Sequence, residues 1–290
     1  MAGIRTRYLF YLSYFTCPIK ASSTQKSRKM HKQVAIIVPC FNEQQRFPIE
    51  YWREILTAEN NIEWLFVDDG SFDGTYKILK EVCAGTSAQV VHLPRNTGKG
   101  NAIRYGLLEM LQGDSGFEAL GYLDSDGAFS KEDIFRIAEL TVQKFNESVS
   151  SQLDAVISSR VSLSGRQIIR KDSRHYLGRI IATYLTNKWN DSPYDTQSGY
   201  KLFLNSEAFR ASMKNKFETR WLFDLEILTR IGIYNNGCLS IWEEPLFFWK
   251  DVDGSKLKIK HLYSIFLELC FARKQVLKFL KVRSRQSGSN

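Results

Sequence analysis

The 290 residues can hold one large domain or two small ones with a sizeable buried core, and 43% hydrophobic and 24% charged residues are ordinary for a soluble globular protein. The net charge of +9 is segregated: residues 1–33 carry +7, residues 256–290 carry +8, and the body between them stands at −6. An acidic body with basic ends argues against a nucleic-acid groove through the main domain and fits termini lying on an anionic surface such as a membrane.

Residues 1–32 read as an extension, disordered or not native. Two arginines precede about ten mostly apolar residues, a faint imitation of a signal peptide, but the aromatic-rich centre and poor cleavage site are atypical. Met30 stands just before the first strand and reads as an alternative start. No run of eighteen apolar residues occurs, so no transmembrane helix is predicted. Cys17, Cys40, Cys83, Cys238 and Cys270 form no CxxC pair, which suggests a reducing compartment and thiols buried as small hydrophobes. The four histidines show no metal-ligand spacing.

From residue 33 onward, short apolar runs alternate with helical patterns. Strands are predicted at 33–38, 64–67, 89–93, 119–123 and 154–158. Between them fall helices near 48–58, opened by Pro48; after GSFDG, capped by Ser71 or Asp73; from about Gly100 to Leu111; and after Ser130, whose spacing to Asp133 resembles a capping box. Such alternation predicts an α/β domain over 33–258 with a central, mostly parallel sheet flanked by helices. Ligands in such folds sit outside the carboxyl ends of strands. There the polar clusters collect: PCFNE, DDGS, DSDG and SSR.

In GYLDSDGAFS an apolar strand ends in Asp124 and Asp126, separated by Ser125. Positions two apart project from one face of a strand, so the two charges crowd one spot and resist ionising together. A divalent cation held by carboxylates and substrate phosphates would offset that repulsion; a solvated turn is the alternative. Asp68 and Asp69 end the second strand and cannot both cap the next helix. An outward carboxylate there could meet a base N–H or a ribose hydroxyl, as in dinucleotide sites. GxGxxG is absent, and RNTGKGNA is no P-loop, since Leu93 stands where the first glycine is required and Gly100 follows the lysine.

IIVPCFNE, FVDDGSFDGT, NTGKGNAI, YLDSDG and ISSR, in this order and spacing, resemble the family 2 glycosyltransferases. DTQSGYKLF, RWLFDLEIL and EEPLFFWKDVDGSK look like the branch that makes dolichyl-phosphate glucose and polyprenyl-phosphate sugars. The resemblance covers roughly residues 33–270. It implies a GT-A-type fold and an inverting transfer of a sugar, glucose in the first instance, from a UDP-sugar to a polyprenyl or dolichyl phosphate. It further implies that Pro39, Phe41 and Glu43 line a nucleoside pocket, with Asp69 on the base or ribose and Asp68 supporting it. Lys99 and Ser125 join the donor site, and Asp124 and Asp126 hold Mg²⁺ or Mn²⁺ on the donor diphosphate. Arg160 and Lys256 match positions directed at phosphates. Lys250 stands where relatives carry arginine, which loses a bidentate fork. Asp195 and Gln197 face donor or acceptor.

A lipid phosphate is already ionised and needs only positioning, whereas a hydroxyl acceptor needs a base, for which Asp224 is the candidate. Asp224 and Glu226 could equally pair with Arg220 or Arg230, and Glu226 reads as structural. Arg166, Arg170 and Arg174 share one face if their segment is helical, and then form a solvated face or an acceptor-phosphate or membrane contact. Trp189, Trp221 and Trp249 read as core. Residues 259–290 form a basic amphipathic helix and tail, with Lys274, Lys278, Lys281 and Arg285 on one side and Leu262, Phe266, Leu269, Val276 and Leu280 elsewhere. That pattern suits an interfacial helix at the cytoplasmic face of a membrane, or one docked on the domain. Two other functions remain open: the same fold acting on a glycan hydroxyl in surface polysaccharide assembly, and a non-catalytic nucleotide-sugar-binding subunit. The absence of QxxRW argues against a processive synthase.

Overall fold

Valine and isoleucine fill VAIIVPC, and β1 (Val34–Cys40) is the buried centre of the sheet. It pairs in parallel with β2 (Ile62–Asp68) on one side and β4 (Ala119–Leu123) on the other. The computed structural model describes residues 33–58, 60–112, 116–147, 153–170, 183–189, 191–252 and 262–287, all within one compact unit spanning 31–290. Outside β2 lies β3 (Gln89–His92), and the full order is β3-β2-β1-β4-β7-β5-β8, with β5 (Ala155–Ser159), β7 (Tyr200–Leu204) and β8 (Ile241–Pro245). Among the described strands of this sheet, β7 alone runs antiparallel to its neighbours, β4 and β5. A parallel pair, β6 (Gln167–Ile169) and β9 (Phe248–Lys250), stands apart.

Four helices follow the first four strands as expected: α1 (Ile49–Thr57), α2 (Thr75–Cys83), α3 (Lys99–Leu111) and α4 (Lys131–Glu147). Asp73 takes the first free amide of α2 through Thr75 N–H at 3.0 Å. At α4, Asp133 N–H donates to Ser130 Oγ at 3.2 Å, the N-cap half of the expected box, while Asp133 Oδ2 turns to the Phe247 and Phe248 amides. Then come α5 (Glu207–Ser212), α6 (Phe223–Tyr234) and α7 (Leu262–Ser287). The two faces of the sheet bury separate apolar clusters, one against α3, α6 and α7, the other against α1, α2 and α4. Two sheet faces covered by helices explain why the strands read as continuous apolar runs rather than alternating ones.

Several expectations are corrected. Arg166 and Arg170 flank strand β6 rather than sharing a helical face, because Gln167–Ile169 pairs with Phe248–Lys250. Arg174 and Lys256 lie outside the described residues, as do Cys17 and the 1–32 extension. Cys40 and Cys83 are buried, but Cys238 and Cys270 are exposed. Trp189 and Trp249 are core, whereas Trp221 is 40% exposed, its backbone N–H donating to Glu268 at 2.8 Å. No helix among the described residues is long and apolar enough to cross a membrane.

Candidate functional site

Strand order reverses between β1 and β4, and the crevice beyond their carboxyl ends is where an open α/β sheet binds ligands. Phe41–Glu43 leave β1 on one side of that crevice and Asp124–Asp126 leave β4 on the other. The antiparallel β7 begins at the same edge, so the DTQS turn preceding it meets the aspartates: Asp124 N–H donates to the Gly199 carbonyl at 2.9 Å. A Cβ at Gly199 would fall 2.3 Å from Asp124 Oδ2, so only glycine admits the carboxylate there.

Asp124 and Asp126 come together as the sequence indicates, and a cation already stands beside them. Lys99, first residue of α3, places Nζ 2.5 Å from Asp124 Oδ1. Burial, and then the Asp124 charge, push the Asp126 carboxyl up to about 6, although Ala128 N–H donates to it at 3.1 Å. The charges of Lys99 and Arg46 act in the opposite direction. Burial works against the Lys99 charge, but Asp124, Asp224 and Asp126 raise it overall.

Among the described residues no group of three or more His, Cys, Asp or Glu could hold a metal ion. The protein therefore offers two carboxylates of a crowded, partly buried pair. That donor set fits Mg²⁺ or Mn²⁺ when the remaining ligands are phosphate and water oxygens.

Asp68 and Asp69 are both buried, at 0% and 2% exposure. Asp68 accepts from Ser71 Oγ and lies 2.7 Å from His92 Nδ1, a supporting role. Asp69 is held by the loop before α3. Its Oδ1 accepts from Thr97 N–H at 2.7 Å and Thr97 Oγ1 at 2.8 Å, its Oδ2 from Gly98 N–H and Asn96 Nδ2 at 2.9 Å each. The carboxylate fixes the loop that delivers Lys99. Glu43 likewise turns to Arg46 Nη2 at 2.6 Å, while its backbone N–H donates to Thr75 Oγ1 at 2.7 Å. Pro39 is half-buried at the end of β1, opposite Val67. Phe41 meets Phe72 edge to face with centroids 5.9 Å apart, and Phe72 is 85% exposed on the rim.

On the far side, Arg160 follows β5. Its Nε and Nη2 grip Asp195 at 2.7 Å each, and Nη2 also donates to the Gln197 carbonyl at 2.9 Å. Arg170 approaches the same carboxylate at 3.4 Å. Both guanidiniums lie over the Trp249 ring, 5.1 and 5.7 Å from its centroid. Burial opposes the Asp195 charge, but Arg160 outweighs it and holds the carboxyl down to about 2. Asp124 and Asp224 help to raise Arg160, which ties this cluster to the aspartate pair. Ser125 is buried, its carbonyl accepting from Trp52 Nε1 at 2.9 Å. Lys250 is exposed at the end of β9.

Asp224, in the first turn of α6, is claimed by two donors: Lys201 Nζ at 2.6 Å and the Tyr122 hydroxyl. Lys201 is fully buried and also donates to the Ser198 carbonyl. Burial pulls its ammonium down while Asp224 raises it. Glu226 is structural as expected, accepting from Arg230, Glu218 N–H and Thr219 N–H. Sequence reasoning missed Lys201, Tyr122, Arg46 and Phe72. For Lys201 a signal existed, since a lysine inside the apolar strand YKLFL requires a buried partner.

Residues 35–211 match the glycosyl transferase family 2. Similar proteins include a dolichyl-phosphate beta-glucosyltransferase of Trichomonas vaginalis, 28% identical over 246 residues that cover 81% of this chain and 71% of the relative. The dolichyl-phosphate beta-glucosyltransferase of Mus musculus is 29% identical, covering 78% of this chain and 70% of its own. Among solved structures, glucosyl-3-phosphoglycerate synthase from Mycobacterium tuberculosis in complex with Mn²⁺, UDP and phosphoglyceric acid superposes with a TM-score of 0.56 at 15% identity, covering 87% of this chain and 78% of that one. That likeness is one of fold: a GT-A sheet with its crevice beyond β1 and β4. With more than half its length matched and the aspartate pair in that crevice, the chain belongs to glycosyl transferase family 2.

Proposed function

We propose that this chain transfers glucose from UDP-glucose to a dolichyl or related polyprenyl phosphate, with inversion at the anomeric carbon. The observation that carries the reading is the meeting, at one sheet edge, of an aspartate pair with two guanidiniums stacked on Trp249. The first suits a metal-bound diphosphate and the second a phosphate acceptor. The names of the relatives support the same donor sugar and acceptor. Four carboxylates (Asp124, Asp126, Asp195, Asp224) face four cations (Lys99, Arg160, Arg170, Lys201), so an anionic donor enters most readily with a divalent cation.

Asp124 and Asp126 would hold Mg²⁺ or Mn²⁺, which when bound neutralises charge on the departing UDP. Phe41 and Phe72 would flank the nucleoside, beside Pro39. Arg160 and Arg170 would orient the acceptor phosphate. One of its oxygens forms the new bond to the anomeric carbon as the bond to the β-phosphate oxygen breaks, and UDP takes the electron pair. No proton has to be removed. Asp224, with Lys201 and Tyr122 donating to one oxygen, then acts by fixed charge and position rather than as a base.

The exposed stripe of Lys274, Lys278, Lys281 and Arg285 supports peripheral attachment to the cytoplasmic face of an anionic membrane. Radiolabelled UDP-glucose offered to the full chain with polyprenyl phosphate, free polyprenol or neither tests the reading. The expected result is metal-dependent movement of label into organic solvent with the phosphate lipid alone. Transfer to hydroxyls but not phosphate would favour a glycan-hydroxyl acceptor. UDP-glucose binding without any transfer would favour a non-catalytic subunit.

A further inference from the structure

The side chain of Lys99 is one third exposed, but the backbone that carries it is held from both sides. Asp69 binds the amides of Thr97 and Gly98 just before it. Gly98 has φ +89°, and a Cβ on Gly100 would fall 2.8 Å from Phe223 Cβ, so the chain on both sides has little freedom to move. Nζ sits 6.0 Å from the Phe223 ring centroid and 2.5 Å from Asp124 Oδ1. The charges facing it are Asp124 and Asp126 after β4 and Asp224 on α6. That ammonium is in ion-pair contact with an oxygen a divalent cation would use, and a cation bound to the same oxygen would repel it strongly at such a distance.

We propose that Lys99 is an exchangeable counter-ion. It neutralises the aspartate pair when no metal is bound, then passes to the donor diphosphate once a metal takes Asp124, so that metal and nucleoside diphosphate bind cooperatively. This rests on the donor reading above. The flexible stem permits the exchange, because Nζ can swing on its fixed backbone from a carboxylate to a phosphate oxygen beside it. Linkage then requires that metal and UDP strengthen each other by the same factor. Removing the ammonium removes the competitor for metal and a partner for diphosphate together.

The test is Mn²⁺ titration of the full chain, followed by the resonance of free Mn²⁺, with and without saturating UDP, in wild type, Lys99→Met and Lys99→Arg. Lys99→Met should bind Mn²⁺ alone about 5–10-fold more tightly, and the enhancement by UDP should shrink by a similar factor. Lys99→Arg should restore the wild-type pattern. Unchanged or weaker Mn²⁺ binding by Lys99→Met, with the enhancement intact, overturns the exchange while leaving the metal reading standing. Failure of the wild type to bind Mn²⁺ even with UDP overturns both. Melting curves confirm folding, and Lys99→Gln replaces Lys99→Met if the latter does not fold.

Discussion

At Asp126 the requirements of folding and of chemistry oppose each other. Burial and the Asp124 charge raise its carboxyl from an ordinary value near 3.8 to about 6. Between those two values the native state binds more protons than the unfolded chain, so stability falls as pH rises through that window and stays lower above it. The cost at neutral pH is on the order of 1–2 kcal/mol once partial exposure is allowed for. Asp126→Asn keeps an acceptor for Ala128 N–H and removes the charge. Its melting temperature without metal should therefore exceed wild type at pH 7.5 and match it near pH 4, while glucose transfer is lost. Thermal melts at both pH values decide the matter, and equal melting at pH 7.5 would contradict it. The pair was legible in the sequence because an apolar strand runs straight into two carboxylates one residue apart, although β4 ends at Leu123 and the turn after it, not strand alternation, sets their geometry. Lys99 beside it was legible only as a motif residue, since its distance from Asp124 depends on how α3 is set against β4.

Among the elements, α7 shows how much of an amphipathic pattern packing must resolve. Its sequence allowed an interfacial or a docked helix, and the structure docks it: Ala272, Val276 and Phe279 are at most 1% exposed against α6. Phe279 packs 5.0 Å from the Trp189 ring and fills the space over Gly232, where a Cβ would fall 2.4 Å from its ring. Phe279→Ala should cost about 3–5 kcal/mol in chemical denaturation, the range for truncating a buried phenylalanine. A loss below 1 kcal/mol would show that the helix contributes little to the fold. Phe266, expected on the apolar side, is 60% exposed, while the basic stripe faces solvent throughout. Docking and a membrane-directed outer face are therefore compatible properties of one helix. β7 was equally unreadable in advance, because YKLFL carries no mark of strand direction; its neighbours β4 and β5 set that.

For the whole molecule the segregation of charge sets the expected behaviour at a surface. Each Lys or Arg near an anionic bilayer contributes on the order of 1 kcal/mol, screened over a Debye length of roughly 8–10 Å. Replacing Lys274, Lys278, Lys281 and Arg285 by glutamine should release the protein from acidic liposomes without lowering its melting temperature, since all four are exposed. Activity on a short, water-soluble prenyl phosphate should persist. Flotation at low and physiological salt measures the effect; equal flotation of both forms, or equal flotation on neutral lipid, would remove the electrostatic anchor.

By itself the sequence determined the α/β alternation, the parallel core from β1 to β4, and the collection of carboxylates at one end of the sheet. Each follows from local periodicity and from the rule that polar residues end buried strands. Tertiary structure alone decided the partners of those carboxylates. Asp69 serves the loop before Lys99, Asp224 is held by a lysine 23 positions earlier and a tyrosine 102 positions earlier, and Asp195 is held by the arginines that directly follow β5 and β6. Which oxygen meets which donor depends on distances across the sheet, and side-chain spacing along one chain does not contain them.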